Sequence, residues 1–92
     1  MIVMFTEWYG RKEYVPRYSC TAVLGYPESP REGDTLWESP LYHDDTEEAG
    51  QEMAAVKSLL VLVGVTIITE EEYDMAVDAY VKRLYPEENA NV

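Results

Sequence analysis

The chain changes character near residue 42, and this change does most to limit its fold. Residues 1–42 are rich in tyrosine, tryptophan, threonine and valine, and their six acidic and four basic residues give a net charge of −2. Residues 43–92 place apolar residues at helical spacing, and their twelve acidic and three basic residues give a net charge of −9. Aromatic and β-branched residues favour strands, whereas spacings of three and four residues are typical of amphipathic helices. Strands followed by helices predict an α+β fold.

The first half of the chain contains three segments whose sequence predicts a strand. Residues 2–9 and 35–38 are rich in aromatic and β-branched residues, and residues 17–24 alternate between two faces, with Cys20 on the inward one. Residues 25–34 contain two prolines, two glycines and four charged residues, a composition typical of a loop. We expect the three strands to form a three-stranded antiparallel sheet.

The second half predicts two helices, which we expect to pack on one face of this sheet. The first helix begins near residue 45 or 46, and its apolar stripe consists of Ala49, Met53, Val56, Leu60 and Val63. All residues from 59 to 63 are apolar, so we expect this end of the helix to be buried on every side. Gly64 is a candidate C-cap, because glycine often ends a helix.

A second helix is predicted after a short extended link over residues 65–68. Thr69 and Glu72 have the spacing of a capping box. One face of this helix is lined by Tyr73, Val77, Tyr80 and Leu84. The predicted order is therefore β-β-β-α-α within a single domain over residues 1–86, followed by a flexible tail over residues 87–92.

Net charge is the most informative number for function. The whole chain carries −11 at pH 7, with a sequence pI near 4.3. Such a chain repels phosphate groups, so direct binding to nucleic acid or to acidic membranes is disfavoured, whereas basic proteins are attracted. The start of the first predicted helix concentrates the acidic residues Asp44, Asp45, Glu47, Glu48 and Glu52. They form either a solvated helix start or a surface for a basic partner, since no calcium-loop pattern accompanies them.

The sequence offers little material for catalysis or metal binding. Its single cysteine, Cys20, excludes an internal disulfide and fits a reducing compartment, and its single histidine, His43, excludes a Cys/His zinc site. No catalytic triad, phosphate-binding loop or dinucleotide fingerprint occurs, so we expect no enzyme, no catalytic residue, no metal and no cofactor. The longest uncharged run, residues 58–69, is too short to span a bilayer, and the N-terminus lacks a signal-peptide pattern. We expect an intracellular protein of the cytoplasm or nucleus.

Three short motifs follow one another in the middle of the chain. They read Pro16-Arg17-Tyr18-Ser19-Cys20-Thr21-Ala22-Val23-Leu24, then Trp37-Glu38-Ser39-Pro40-Leu41-Tyr42, then a helix with Ala49, Met53, Ala54 and Ala55. In this order and spacing, residues 4–64 resemble a double-stranded-RNA-binding domain of the plant type. The resemblance implies a three-stranded sheet, an alanine-rich helix packed on it, and a role in small-RNA processing or RNA silencing.

The sequence departs from that family where RNA would be bound. The family's first helix, which touches RNA, has no counterpart before the first strand, so we expect it to be missing. Where the family has Lys-Lys-x-Ala-Lys the chain has Glu47-Glu48-Ala49-Gly50-Gln51, and in place of Gly-Pro-x-His it has Arg11-Lys12-Glu13-Tyr14. Double-stranded RNA is recognised largely through phosphate and 2′-OH contacts, and a carboxylate that faces a phosphate repels it. We therefore expect a variant that does not bind RNA.

The resemblance and the reversed charges together predict a protein–protein interaction module. Such a module would pair, as a homodimer or heterodimer, with another double-stranded-RNA-binding-domain protein or with a nuclease. We expect its interface to use an exposed strand edge, the face left uncovered by the missing first helix, and the last helix. The candidate interface residues are Trp8, Tyr9, Tyr73, Val77, Tyr80 and Leu84.

Two other functions stay open from the sequence. An acidic mimic of nucleic acid that inhibits a DNA- or RNA-binding enzyme, such as a phage or viral anti-defence protein, fits the small size and the charge. Its binding would weaken steeply as salt rises, whereas apolar pairing would not. The third function is weak residual RNA binding through Arg11, Lys12 and Arg17, which lie close together in the sequence.

Overall fold

The computed structural model describes residues 1–9, 16–39 and 46–86. The elements are, in chain order, β1 (Ile2–Tyr9), β2 (Pro16–Leu24), β3 (Arg31–Glu38), α1 (Thr46–Leu62), β4 (Thr66–Ile68) and α2 (Glu70–Leu84). The predicted α+β class is confirmed. The predicted order β-β-β-α-α is wrong, because the link between the two helices is itself a strand.

The sheet has four strands in the order β3-β2-β1-β4, and it is mixed. β1 pairs antiparallel with β2, which pairs antiparallel with β3. β4 pairs parallel with the other side of β1, with Thr66 opposite Ile2 and Ile68 opposite Met4. The predicted three-stranded antiparallel sheet is therefore wrong. Parallel pairing needs a long crossover, and α1 provides it by carrying the chain from β3 to the far edge of the sheet.

β3 is longer than the sequence predicts. It begins at Arg31, so the predicted loop over residues 25–34 contracts to a turn over residues 25–30. Gly25 has a φ of +68°, and Ser29 donates its N–H to the Gly25 carbonyl oxygen at 2.8 Å. The pairing of β2 with β3 shifts register at two places, and irregularities of this kind let a strand continue past residues that do not fit the regular ladder.

One face of the sheet forms the main core beneath α1. Val3, Phe5 and Cys20 are buried there, each 8% exposed or less. The side chains packed against them are Trp37, Met53, Val56, Leu60, Val65 and Ile67. The predicted stripe of α1 is confirmed from Ala49, which is fully buried, as far as Leu60.

The opposite face carries a second core beneath α2. Met4, Val23 and Ile68 are buried there, and Tyr73 of α2 packs against them. Successive residues of a strand point to opposite faces, so the neighbours Val3 and Met4 belong to different cores. The prediction that both helices pack on one face is wrong, because β1 and β2 are apolar on both faces and each face needs a cover.

Gly64 ends α1 in the way that the sequence predicts. Its φ is +85°, and it donates its N–H to the Val61 carbonyl oxygen at 3.1 Å. Val65 donates its N–H to the Leu60 carbonyl oxygen at 2.9 Å. These two bonds form a Schellman motif, in which a left-handed residue turns the chain away from the helix axis.

The predicted capping box of α2 is also confirmed. Glu72 donates its N–H to Thr69 Oγ1 at 3.0 Å, and Thr69 donates its N–H to Glu72 Oε1 at 3.2 Å. Within the described ranges, neither helix combines the length and the apolar character that a membrane crossing needs. The tail predicted over residues 87–92 lies outside those ranges.

Candidate protein interface

The last turn of α1 and the residue after it expose four large apolar side chains. Their exposed fractions are 63% for Leu59, 62% for Val61, 80% for Leu62 and 75% for Val63. We call these four residues the α1 apolar patch. The prediction that this end of the helix is buried on every side is wrong, and so is the place of Val63 in the packed stripe.

The exposure follows because the sheet covers only one side of α1. Met53, Val56 and Leu60 pack in the core on that side, and successive residues of a helix are about 100° apart around its axis. Leu59, Val61 and Leu62 therefore point to other sides of the helix, where they stay exposed. The turn at Gly64 then returns the chain to the sheet, where Val65 packs beside Leu60.

An open groove lies between the end of α1 and β4. It is lined by Lys57, Ser58, Val61, Leu62 and Ile67. Lys57 is the one charged residue of these five, and its ammonium nitrogen lies 5.1 Å from the centre of the Phe5 ring. The groove is therefore mostly apolar, and it joins the α1 apolar patch to the edge of the sheet.

β4 forms that edge, and its outward backbone groups are open to a partner strand. Thr66 donates its N–H to the Met1 carbonyl oxygen at 3.0 Å, so Thr66 faces β1. In a parallel ladder alternate residues face the neighbouring strand, so the backbone N–H and C=O of Ile67 point away from β1. No other strand of the described residues pairs with this side of β4. The edge is short, but it carries no charged residue.

The opposite edge of the sheet is formed by β3, and it is protected. Its charged residues are Arg31, Glu32, Asp34 and Glu38. Charges and register irregularities on an edge strand discourage pairing with another chain. Of the two edges, β4 is therefore the one suited to pairing.

The structure separates the aromatic residues that the sequence proposes as an interface. Trp8 and Tyr9, 36% and 55% exposed, lie at the C-terminal end of β1. α2 runs toward the other end of the sheet, because the Arg83 guanidinium donates to the Glu28 carbonyl oxygen in the β2–β3 turn. Since the eight residues of β1 extend over about 25 Å, these two groups of residues do not form one surface.

Within α2, the proposed interface residues differ in exposure. Tyr73 packs on the second core, and Val77 and Tyr80 are half-buried, whereas Leu84 is 52% exposed. Burial, together with the charge of Glu32, raises the pKa of the Tyr73 hydroxyl. Tyr73 therefore serves the fold, and the role of this set in binding stays a prediction.

Among the residues that the structure describes, the other singled-out groups do not converge on a reactive centre. Cys20 is fully buried, and burial raises the pKa of its thiol, so the thiolate is disfavoured. The Tyr9 hydroxyl donates to Glu7 Oε1 at 2.9 Å, and this bond to a carboxylate raises the pKa of Tyr9. His43 lies outside the described residues.

Both helices begin with acidic residues. Glu47 and Glu48 are exposed at the start of α1, and Glu52 is half-buried, whereas Asp44 and Asp45 lie outside the described residues. Among the residues described, no three His, Cys, Asp or Glu side chains are grouped so as to hold a metal ion. Of the three grouped basic residues, Arg17 is only 9% exposed, and Arg11 and Lys12 fall in a range that is not described.

The α1 apolar patch and the β4 edge were not predicted as binding surfaces, although one signal marks both. Both lie in the uncharged run over residues 58–69, whose apolar part over residues 59–63 predicts burial rather than an exposed surface. Comparisons with protein-family models, with curated proteins and with solved structures find no match to this chain. The resemblance to a double-stranded-RNA-binding domain therefore stays a prediction, and the function has to be argued from these surfaces.

Proposed function

We propose that this chain is a protein–protein interaction module that binds its partner through the α1 apolar patch and the adjoining edge of β4. The observation that carries the proposal is the exposure of four neighbouring apolar side chains, 62% to 80% each, beside an uncharged strand edge. Contiguous apolar surface on a small protein costs free energy in water and marks interaction sites. A partner that covers the patch removes this cost.

The resemblance narrows the proposed partner to a class. We propose a protein of the same kind, built on a double-stranded-RNA-binding domain, or a nuclease of small-RNA processing. The three antiparallel strands followed by α1 have the order that this family would have, and Glu47 and Glu48 are exposed where the family carries lysines. Carboxylates at that position favour a protein partner over RNA. The reducing compartment that suits a lone cysteine supports a site of action in the cytoplasm or nucleus.

The experiment is affinity capture from a nuclease-treated extract of the source cells, with partners identified by mass spectrometry. Three baits are compared: the wild type, Leu62→Glu, and Met75→Glu as a matched control. Met75 lies on α2 and is 67% exposed, so its replacement adds the same charge at a similar exposure away from the patch. Parallel washes use about 0.05 M and about 1 M salt, because high salt releases partners held by charge alone.

We expect the wild type and Met75→Glu to retain the same partner in both washes, and Leu62→Glu to lose it. Circular dichroism shows whether the three baits are equally folded. Equal retention by all three baits would contradict a role for the α1 apolar patch. Complete release at high salt would contradict apolar pairing and favour the second function below.

An acidic nucleic-acid mimic is the second candidate, and α2 is the feature that favours it. Glu70, Asp74 and Asp78 lie four residues apart, about 6 Å per step along the helix, and all three are exposed. Lys82 pairs with Asp78 at 2.9 Å, which shortens the row of free carboxylates. The partner would be a basic DNA- or RNA-binding enzyme. A Glu70→Gln, Asp74→Asn double variant would then weaken capture, and Leu62→Glu would not.

A further inference from the structure

We propose that the partner is a second copy of this chain, and that two copies join through their β4 edges into one continuous eight-stranded sheet. The strands would run antiparallel, with Ile67 opposite Ile67 of the other copy at a two-fold axis. Val61 and Leu62 of the two α1 apolar patches would then face each other across that axis. This inference rests on the proposed function, since it names the partner of the same surface.

The backbone geometry of β4 fits this pairing. Directly opposed residues in an antiparallel ladder either exchange both backbone hydrogen bonds or exchange neither. The outward N–H and C=O of Ile67 allow the first arrangement, because each Ile67 donates to and accepts from its counterpart. A three-residue strand is long enough for such a contact, since Thr66 and Ile68 direct their own backbone groups to β1.

The two-fold axis also places the α1-covered faces of the two sheets on the same side of the joined sheet. An axis perpendicular to the sheet leaves α1 of both copies on the same side, next to the seam. The Ile67 side chain points to that side, since it packs in the core beneath α1 and lines the groove beside Val61 and Leu62. Each groove is therefore open toward the other copy. An isologous contact of this kind is self-complementary by symmetry.

The distribution of charge allows two strongly acidic chains to meet at the β4 edge and the α1 apolar patch. It disfavours a contact between their β3 edges. Each copy carries −11, yet all eighteen of its carboxylates lie outside residues 58–69, which contain the patch and β4. The β3 edge, in contrast, carries Glu32, Asp34 and Glu38 against the single basic residue Arg31, a net charge of −2 that an identical strand would repel. Like charges directly opposed across strands are destabilising. A contact surface without carboxylates is what self-association of this chain requires.

The available area fits a weak dimer. Val61 and Leu62, the patch residues that line the groove, present roughly 200 Å² on each copy, whereas Leu59 lies about 200° from Val61 around the helix. With the strand edges and Ile67, two copies bury on the order of 800 Å², which is within the range of weak and transient interfaces. We therefore expect dissociation at concentrations on the order of micromolar rather than nanomolar.

The first test is the mass in solution, measured by sedimentation equilibrium from about 1 to about 200 µM protein. We expect the wild type and Met75→Glu to double their mass from 10.6 kDa over this range. Leu62→Glu should dimerise at least about tenfold more weakly. Leu62→Lys should do the same, because an apolar contact is broken by either charge. Dimerisation should persist at high salt, which screens the repulsion between two −11 chains.

The second test is a cross-link and does not depend on disrupting the patch. Opposed residues that exchange hydrogen bonds have Cα atoms about 5.5 Å apart, within the range that a disulfide spans. Ile67→Cys should therefore give a covalent dimer on mild oxidation. Leu36→Cys, on the β3 edge, is the matched control and should stay monomeric. Cys20 stays in place in both variants, because it is fully buried.

The outcomes separate this inference from the proposed function. A wild type that stays at 10.6 kDa at every concentration, with no cross-link through Ile67→Cys, overturns the second copy as partner. If the affinity capture then recovers a different protein, and Leu62→Glu loses that protein, the proposed interaction function is still supported. A cross-link through Leu36→Cys instead of Ile67→Cys moves the contact to the β3 edge and overturns the proposed geometry.

Discussion

Ser39 and Tyr18 exchange two hydrogen bonds that fasten the end of β3 to β2. Ser39 donates its N–H to the Tyr18 carbonyl oxygen at 2.8 Å, and Tyr18 donates its own N–H to Ser39 Oγ at 3.0 Å. Ser39 is 2% exposed, so no water replaces either bond. The serine of the Glu38-Ser39-Pro40 motif thus has a structural purpose in this chain.

Replacing that serine should destabilise the fold measurably. Ser39→Ala leaves the Tyr18 N–H buried without its acceptor, and we expect a loss of about 1–3 kcal/mol in the free energy of unfolding. Urea denaturation followed by circular dichroism measures it. Ser58→Ala, on the exposed side of α1, is the control and should stay within about 0.5 kcal/mol of the wild type. Equal effects of the two variants would contradict the assigned bonds.

The two glycines of the α1 region should respond to alanine in opposite directions. A Cβ added at Gly64 or at Gly50 meets no atom within 4 Å, so packing does not distinguish the sites. Gly64 has a φ of +85°, and alanine there should cost about 1–2 kcal/mol. Gly50 is helical, and alanine there should stabilise by about 0.5–1 kcal/mol. Urea midpoints that move in the same direction would contradict the Schellman end of α1.

Stability at high pH should depend on Tyr73. Burial and then the charge of Glu32 raise the pKa of its hydroxyl, so the native state favours the protonated form. The resulting stabilisation is complete below the ordinary pKa of 10.0 and is lost as pH rises through the higher native pKa. Between about pH 9 and 11 the unfolding free energy of the wild type should fall more steeply than that of Tyr73→Phe. Equal slopes for the two proteins would contradict the burial of the Tyr73 hydroxyl.

The buried thiol should be inert in the folded protein. Cys20 is fully buried, so a reagent in solution does not reach its sulfur. The pKa of the thiol is raised, so the reactive thiolate form is disfavoured. Ellman's reagent should react with one thiol per chain in guanidinium chloride, and at least about a hundredfold more slowly in native buffer. Rapid native reaction would show that the core beneath α1 opens readily.

Signals that depend on neighbours in the sequence were sufficient to predict much of the fold. The strand character of β2, the capping box at Thr69 and the helix end at Gly64 are confirmed, because each is decided by residues close to it in the sequence. The predicted alternation of β2 between an inward and an outward face is not, since residues on both of its faces are buried. The α+β class follows from the same local patterns. Candidate binding residues were harder to predict, since exposure depends on which elements cover which faces.

Two features could not be predicted because they depend on distant parts of the chain. β4 has three residues, too few for a period, and its place is decided by the open side of β1, where Thr66 pairs with Ile2. The exposure of Leu62 depends on which side of α1 the sheet covers, which no local window contains. An apolar run is usually buried, and here the sheet covers only the side of the helix that carries Leu60.

The parallel pairing of β1 with β4 also has a consequence in time. Ile2 and its partner Thr66 are separated by 64 positions, so a ribosome adding about 5–20 residues per second needs roughly 3–13 seconds to make the second after the first. During that interval one side of β1 has no strand to pair with, and the apolar residues beside it stay in contact with water. Contacts between such distant positions form late. This small chain therefore depends on synthesis reaching β4 before another chain finds the unpaired side of β1.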